Sequence, residues 1–237
     1  MRRLSASDVV ADTLALFDLD HTLIPFDSGM AWTRFLVGRG VLSAEAEEQY
    51  LAYCHQYLAG TLDIHAMHRA TLRPLLQYPR ALLAQWQREF ELEMAPRVPP
   101  STLALVRRHQ EAGDLCAIVT ATTRLIADPF ARLFGIDQML ATQAATADGS
   151  PDAPLTGEIE GEPCYRQHKV TRVQQWLALQ APGSKSSLAA FARSWFYSDS
   201  MSDLPLLSVV SHPVAVRPDE LLRAHAFRLG WIILDPV

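Results

Sequence analysis

Two aspartates, Asp18 and Asp20, stand two residues apart directly after an apolar run, Leu14 to Phe17. Residues two apart on an extended backbone point the same way, so both carboxylates can face one site. Carboxylates this close repel each other unless a cation or a proton lies between them. One could attack a phosphorus atom while the other donates a proton to the leaving group and then activates water. Two solvated loop acids are the alternative interpretation.

Hydroxyl groups follow a second apolar run, Leu115 to Val119, where Thr120 and Thr122 precede a predicted helix. A hydroxyl and free backbone N–H groups at a helix N-terminus form a binding site for phosphate. Threonine is also common at helix N-caps for structural reasons alone. This segment is therefore a candidate phosphate-binding segment, and the interpretation depends on which other residues lie beside it.

Two more aspartates and a lysine could complete such a site. Asp199 follows the apolar run Trp195 to Tyr197, and Asp203 lies four residues later, about one helical turn further. Hard oxygens from separate strand ends can hold one octahedral Mg2+ with water filling the shell. Asp203 would also favour a helix N-terminus without any metal. Lys169 is a compact charge that suits a phosphoryl oxygen or a crowded carboxylate cluster, or a solvated helix surface.

The elements that must position these residues alternate between buried apolar runs and segments of helical period. Such alternation predicts an α/β fold, a Rossmann-like three-layer core around a parallel sheet. In an open parallel sheet, ligands bind outside the carboxyl ends of the strands, which is where the acidic and hydroxyl residues fall.

One stretch interrupts this alternation, because residues 28–95 contain helical patterns and no convincing strand. We therefore predict an α/β core from residues 1–27 and 96–237, with residues 28–95 as an inserted helical cap. Two β-prone pieces, 141–146 and 155–161, flank a turn region and predict a small β-hairpin.

The order of the motifs resembles the haloacid dehalogenase-like hydrolase superfamily over nearly the whole chain. The motifs are Asp-X-Asp-X-Thr, a strand-end Thr, a Lys, and Ser-Asp-X-X-X-Asp. The resemblance implies that Asp18 is the nucleophile and Asp20 the general acid and base. It also implies that Thr120 holds the phosphoryl group and that Lys169 pairs with Asp18 and the phosphate.

Magnesium is the cofactor that the resemblance implies. Its ligands would be Asp18, the backbone carbonyl of Asp20, and Asp199, with Asp203 close behind through water. The position of the helical insertion is similar to the C1-capped branch, which includes phosphoserine phosphatases. A closer match is to a bacterial group that includes histidinol phosphatases, on the segments 16–23, 60–64 and 221–226.

Three positions depart from the family pattern. Ser202 and Arg217 stand where Asn is expected, although Ser202 could still contact the metal shell or the phosphate. Phe26 and Asp27 occupy the neighbourhood in which phosphoserine phosphatases carry a Glu. These departures put rate and substrate orientation in question more than the class of reaction.

Specificity candidates fall in the predicted cap, where His65, His68, Arg69 and Arg73 recur at helical spacing. Arg69 could clamp a substrate carboxylate, and Trp32 could pack against an imidazole or another ring. The alternative is a solvated basic face, with Trp32 inside the core of the cap.

Composition narrows the partners. The net charge of -5 argues against a nucleic-acid surface, and no apolar stretch has secretory or membrane-spanning length. Three widely spaced cysteines suit a reducing cytoplasm. We expect a small phosphorylated metabolite as substrate, histidinol phosphate or phosphoserine, and no prediction of oligomeric state follows. A phosphotransferase, a phosphorylation switch, and a non-catalytic protein that binds a phosphorylated ligand are the alternatives.

Overall fold

A six-stranded parallel sheet is the centre of the structure, a computed structural model that describes residues 11–180 and 186–235. Its strands lie in the order β3-β2-β1-β6-β7-β8, and β4 and β5 form a separate antiparallel hairpin. The strands are β1 (Thr13–Phe17), β2 (Leu115–Thr123), β3 (Gln138–Thr142), β4 (Ala144–Thr146), β5 (Leu155–Ile159), β6 (Arg193–Ser198), β7 (His212–Val216) and β8 (Ile232–Leu234).

Helices surround the sheet and fill the long connection between β1 and β2. Four lie in that connection: α1 (Ser28–Gly38), α2 (Glu45–Leu58), α3 (Ile64–Leu72) and α4 (Arg80–Met94). The others are α5 (Pro100–Glu111), α6 (Arg124–Phe134), α7 (Gln167–Gln180), the short α8 (Leu204–Leu207) and α9 (Glu220–Leu229). None of the helices in the described ranges is long and apolar enough to cross a membrane.

Both faces of the central strand β1 are buried, as expected for a sheet between two helical layers. Ala15 and Phe17 belong to one apolar cluster, which includes residues of α5 and α6. Leu14 and Leu16 point the other way, into a cluster with α7, α8 and α9. This alternation explains why β1 reads as a continuous apolar run, and it confirms the predicted three-layer α/β fold.

The helical connection is continuous with the core at one end and projects from it at the other. α1 and α4 pack on α6, and Trp32 and Phe90 share a cluster with Phe130 of that helix. α2, in contrast, buries only Tyr50 among its 14 residues, and α3 packs on hairpin strand β5. The division of the chain into a core and a cap stays a prediction. Residues 1–10 of the predicted core lie outside the described ranges.

Two local expectations need correction. The piece 141–146 does not pair as one hairpin strand, because residues 138–142 join the main sheet as β3 and only 144–146 pair with β5. The second strand is longer than its apolar run, since β2 continues through Thr123. Thr123, not Thr120, is therefore the residue before α6, and Thr120 lies within a strand.

Candidate active site

Three neighbouring strands bring the predicted site residues to one edge of the sheet. β1 lies between β2 and β6, with Phe17 opposite Ile118 on one side and Tyr197 on the other. Asp18 continues this pairing, since its backbone N–H donates to the Tyr197 carbonyl at 2.9 Å. The chain positions after Phe17 and Tyr197 therefore lie side by side at the carboxyl edge.

Lys169 joins two of the predicted aspartates across this edge. Its Nζ donates to Asp18 Oδ1 and to Asp203 Oδ2, each at 2.7 Å. The lysine and Asp203 are each 2% exposed, so water screens these charges weakly. Ser198 also donates its hydroxyl to Asp203 Oδ2 at 2.8 Å. A buried cation shared by two carboxylates fixes the Asp18 oxygen that it contacts.

Negative charge still exceeds positive charge at this edge. Burial raises the pKa of Asp18 to about 7, against the lowering effect of Lys169. Burial, with repulsion from Asp18 and Asp203, raises the pKa of Asp199 well above its usual range. Although burial alone would lower it, the contacts with Asp18 and Asp203 raise the pKa of Lys169, so the lysine stays charged. The excess of carboxylates favours an additional cation.

The donor set fits Mg2+ in its chemistry. Asp203 Oδ1 is buried without any hydrogen-bond partner, which is costly for a carboxylate oxygen unless a cation or water reaches it. Asp18 and Asp199 supply further hard oxygens. Within the described ranges, no three acidic, histidine or cysteine side chains form a ready metal-binding group. A metal here would therefore also need backbone oxygens and water.

Asp20 is held apart from this cluster by its own contacts. Its Oδ1 accepts the N–H of Ser28, at the start of α1, and its Oδ2 accepts the Thr122 hydroxyl, both at 2.7 Å. A helix N-terminus favours a carboxylate, so α1 and β2 together orient Asp20. Thr122, predicted to bind substrate, thus contacts the candidate acid–base residue.

A cavity of about 230 Å3 lies above the strand ends. We call its lower side the cavity floor, formed by Asp18, Asp20, Thr120, Thr122, Lys169, Asp199, Ser202 and Asp203. Its upper side, the cavity roof, consists of residues from α2 to α3: Tyr50, Tyr53, Cys54, Tyr57, Leu58, Leu62, Ile64 and Met67. Except for Arg69, every predicted site residue therefore lines the cavity.

Arg69 lies elsewhere. Its guanidinium is 3.6 Å from Glu158, on hairpin strand β5, and Arg73 pairs with the same carboxylate at 3.2 Å. Trp32, the other proposed substrate contact, is buried between Phe35 and Phe90. His68 is buried as well, and burial lowers its pKa to about 4. The basic face of α3 therefore does not supply the cavity with positive charge.

The roof contains residues that were not predicted from the sequence. Tyr50, Tyr53 and Tyr57 are spaced three and four residues apart, a spacing that places them on one face of α2. The hydroxyl of Tyr57 lies 2.7 Å from the hydroxyl of Ser200 and 2.7 Å from that of Ser202, within hydrogen-bond distance of both. A Cβ at Gly29 would lie 1.9 Å from the Tyr50 hydroxyl oxygen, so glycine is required for that approach. The tyrosine spacing was the signal available beforehand.

Asp27 brings a further acid to the cavity, at the N-cap of α1. It accepts the N–H of Met30 at 2.7 Å and the hydroxyl of Tyr50. Burial, with repulsion from Asp20, raises the pKa of Asp27 to about 7.

Arg217, at one of the positions where Asn was expected, holds the loop after Asp20. Its guanidinium donates to the backbone carbonyl of His21 at 2.8 and 3.1 Å and to that of Thr22 at 2.7 Å. The longer arginine thus reaches the backbone that follows the aspartate pair.

Comparison with known proteins identifies the class. A family model for haloacid dehalogenase-like hydrolases matches residues 15–208. A histidinol-phosphatase from Neisseria meningitidis is 40% identical over 224 residues, which cover 94% of this chain and 98% of that protein. The chain therefore belongs to the haloacid dehalogenase-like hydrolase family. It is a phosphatase, as the motifs predicted.

Solved structures agree with this assignment. A Bordetella pertussis protein of unknown function is 39% identical and superposes with a TM-score of 0.85, covering 95% of this chain and 99% of that one. A phosphoserine phosphatase, solved as a phospho-aspartyl intermediate analogue, is 18% identical with a TM-score of 0.63, covering 95% and 94% of the two chains. At that identity the second likeness concerns the fold alone.

Proposed function

We propose that this phosphatase hydrolyses a small phosphomonoester through an aspartyl-phosphate on Asp18. The observation that carries the proposal is the buried pair of Asp18 and Lys169, next to an Asp20 that is oriented separately. An Asp18 oxygen bonds to phosphorus as the ester P–O bond breaks, and Asp20 donates a proton to the leaving oxygen. Asp20 then takes a proton from water, whose oxygen bonds to phosphorus and breaks the bond to Asp18.

The remaining floor residues hold charge and phosphate in this proposal. Asp18, Asp199 and the Asp20 carbonyl would hold Mg2+, with Asp203 contributing through water. When bound, the metal supplies positive charge to the phosphoryl oxygens. Lys169 neutralises Asp18 and Asp203 and faces the phosphate, while the Thr120 hydroxyl binds a phosphoryl oxygen. We also propose that residues 28–95 act as a cap over the cavity and that the protein works in the cytoplasm.

The charge of the cavity favours histidinol phosphate over phosphoserine as substrate. Among the described residues that line it, Lys169 is the only lysine or arginine, and two carboxylates already share it. A substrate carboxylate would find no other such cation there and would face six aspartates. An amine or imidazole would instead meet Asp27 and the tyrosines of the roof. The 40% identity to a histidinol-phosphatase supports the same choice.

Phosphate release with Mg2+ from p-nitrophenyl phosphate, histidinol phosphate and phosphoserine tests these proposals. We expect kcat/KM for histidinol phosphate to exceed that for phosphoserine by about tenfold or more. Asp18→Asn should lose about 10^4-fold in kcat or more, because no other group can form the covalent intermediate. Asp152→Asn, a change of an exposed aspartate, is the matched control.

Three outcomes would contradict parts of this proposal. Equal use of phosphoserine would refute the charge argument, and full activity of Asp18→Asn would refute the nucleophile. Alcohol release without inorganic phosphate, in the presence of an acceptor alcohol, would indicate phosphotransfer rather than hydrolysis.

A further inference from the structure

Three hydroxyl groups form a closed ring between the cavity roof and the cavity floor. The Tyr57 hydroxyl lies 2.7 Å from Ser200 Oγ and 2.7 Å from Ser202 Oγ. Ser200 Oγ donates to Ser202 Oγ at 3.1 Å. Because each hydroxyl has one proton, Ser202 then donates to Tyr57, and Tyr57 donates to Ser200. We call this arrangement the hydroxyl ring.

The floor side of the hydroxyl ring belongs to the turn that carries two of the candidate metal ligands. Residues 200–202 connect Asp199, which accepts the Thr22 hydroxyl at 3.1 Å, to Asp203, which contacts Lys169. The backbone N–H of Ser202 also donates to Ser200 Oγ at 3.2 Å. The ring therefore ties down the short segment whose geometry fixes the separation of the two aspartates.

The roof side belongs to a helix with few other anchors. Tyr50 is the one buried residue of α2, and Leu58, next to Tyr57, is 79% exposed. A helix that buries so little apolar surface gains little from packing. The partly buried hydroxyl contacts of Tyr57, at its C-terminal end, should therefore contribute a large share of what holds α2 over the cavity.

We propose that Tyr57 is a positioning residue, which holds α2 closed over the cavity and fixes the 200–202 turn between Asp199 and Asp203. Its effect on turnover rests on the proposed hydrolysis, but its effect on the structure does not. Ser202 takes part through its hydroxyl, so a serine at this position is matched to the tyrosine of α2. The ring couples closure of the roof to the geometry of the floor.

A kinetic double-mutant cycle with Tyr57→Phe and Ser202→Ala tests the coupling. Tyr57→Phe keeps the aromatic ring and removes only the hydroxyl. We expect kcat to fall and KM to rise, each about threefold, so that kcat/KM falls about tenfold. The double variant should lose little more than either single variant, because each change already opens the hydroxyl ring. Tyr78→Phe, which changes a tyrosine packed on Trp86 away from the cavity, is the control and should match the wild type.

Hydrogen exchange of the unliganded protein gives a readout that does not need activity. In Tyr57→Phe, the backbone amides of residues 200–203 and of the C-terminal turn of α2 should exchange about fivefold to tenfold faster. If the wild type hydrolyses no ester, the proposed function fails while this exchange result still decides the contact. Unchanged exchange, or faster exchange with unchanged kcat and KM in an active enzyme, would overturn the positioning role.

Discussion

The floor and the roof of the cavity differ in the interactions that hold their side chains in place. The floor concentrates buried carboxylates and compensates them with one buried lysine, so its side chains are fixed by short charged contacts. The roof is aromatic and apolar, and Asp27, an acid beside it, accepts the hydroxyl of Tyr50. Charge therefore sets the geometry of the floor, while shape and hydroxyl contacts set that of the roof.

This difference suggests that the floor determines the reaction and the roof determines the choice of substrate, as the proposed function requires. A floor fixed by charge tolerates little substitution, since each group in it compensates a neighbour. Under the proposed function, substitutions in the aromatic roof should alter which substrate binds without altering the phosphoryl transfer at the floor. The same comparison predicts that substitutions in the floor change the free energy of unfolding the most, those beside the roof less, and the substitution of Arg69, which lies outside the cavity, the least.

Removing the floor cation should have the largest effect of these substitutions on folding. Lys169→Met leaves Asp18 and Asp203 buried without a cation, so we expect about 3–5 kcal/mol loss in the free energy of unfolding at pH 8 with EDTA present. The loss should shrink towards pH 5, because burial raises the pKa of Asp18 to about 7 and its protonation relieves the repulsion of Asp203. Urea unfolding at both pH values measures it.

A second variant provides the control for that measurement. Lys169→Met combined with Asp203→Asn removes one of the stranded charges and should recover part of the lost stability. A loss below about 1 kcal/mol in Lys169→Met at pH 8 would show that the floor does not depend on charge compensation.

Much of the floor could be predicted from sequence because its positions follow from local rules. Apolar runs locate the strands, and the parallel sheet brings the residue after each strand to one edge. Asp18, Lys169 and Asp203 do meet there, although their chemical roles stay predictions. The extent of β2 escaped prediction, because three of the four residues from 120 to 123 are threonines and their strand conformation depends on pairing with β3.

The roof was harder to predict because helical spacing gives a shared face but not its direction. His65 and Arg69 do lie on α3, and Arg73 directly follows it. The side of α3 that faces the cavity, however, depends on its packing against β5, many residues later. The tyrosines of α2 have the same kind of spacing and do face the cavity. Tertiary contacts, which a local sequence pattern does not contain, determine which face of each helix points into the cavity.

Asp27, the acid beside the roof, should make the stability of the protein depend on pH. The pKa of Asp27 is raised from 3.8 to about 7, so the folded state keeps a proton that the unfolded state releases between these values. Stability from this group is complete below about pH 4 and falls as pH rises towards 7. Asp27→Asn keeps the helix cap and should be about 2 kcal/mol more stable than the wild type at pH 8, and nearly equal at pH 4.

An exposed N-cap provides the matched comparison. Asp63 caps α3 through the N–H of Ala66, and this contact lowers the pKa of its carboxylate. The pH dependence of stability is therefore opposite to that of Asp27. The stability that Asp63 contributes is present at neutral pH and is lost as the pH falls below 3.8, the ordinary pKa of an aspartate. Asp63→Asn should therefore be slightly less stable than the wild type at pH 7. If the difference in free energy of unfolding between the wild type and Asp27→Asn does not change from pH 4 to pH 8, the raised pKa of Asp27 is contradicted.

The smallest effect is expected at Arg69, and it separates the outer surface of α3 from the roof. Arg69 shares Glu158 with Arg73 and is partly exposed, so Arg69→Ala should change the free energy of unfolding by no more than about 0.5–1 kcal/mol. Since the guanidinium lies outside the cavity, kcat/KM for histidinol phosphate and for phosphoserine should each change less than about twofold. Steady-state kinetics with both esters measures this. A selective loss with phosphoserine would mean that α3 turns to present Arg69 to the substrate carboxylate, and the roof would then not be free of cations during turnover.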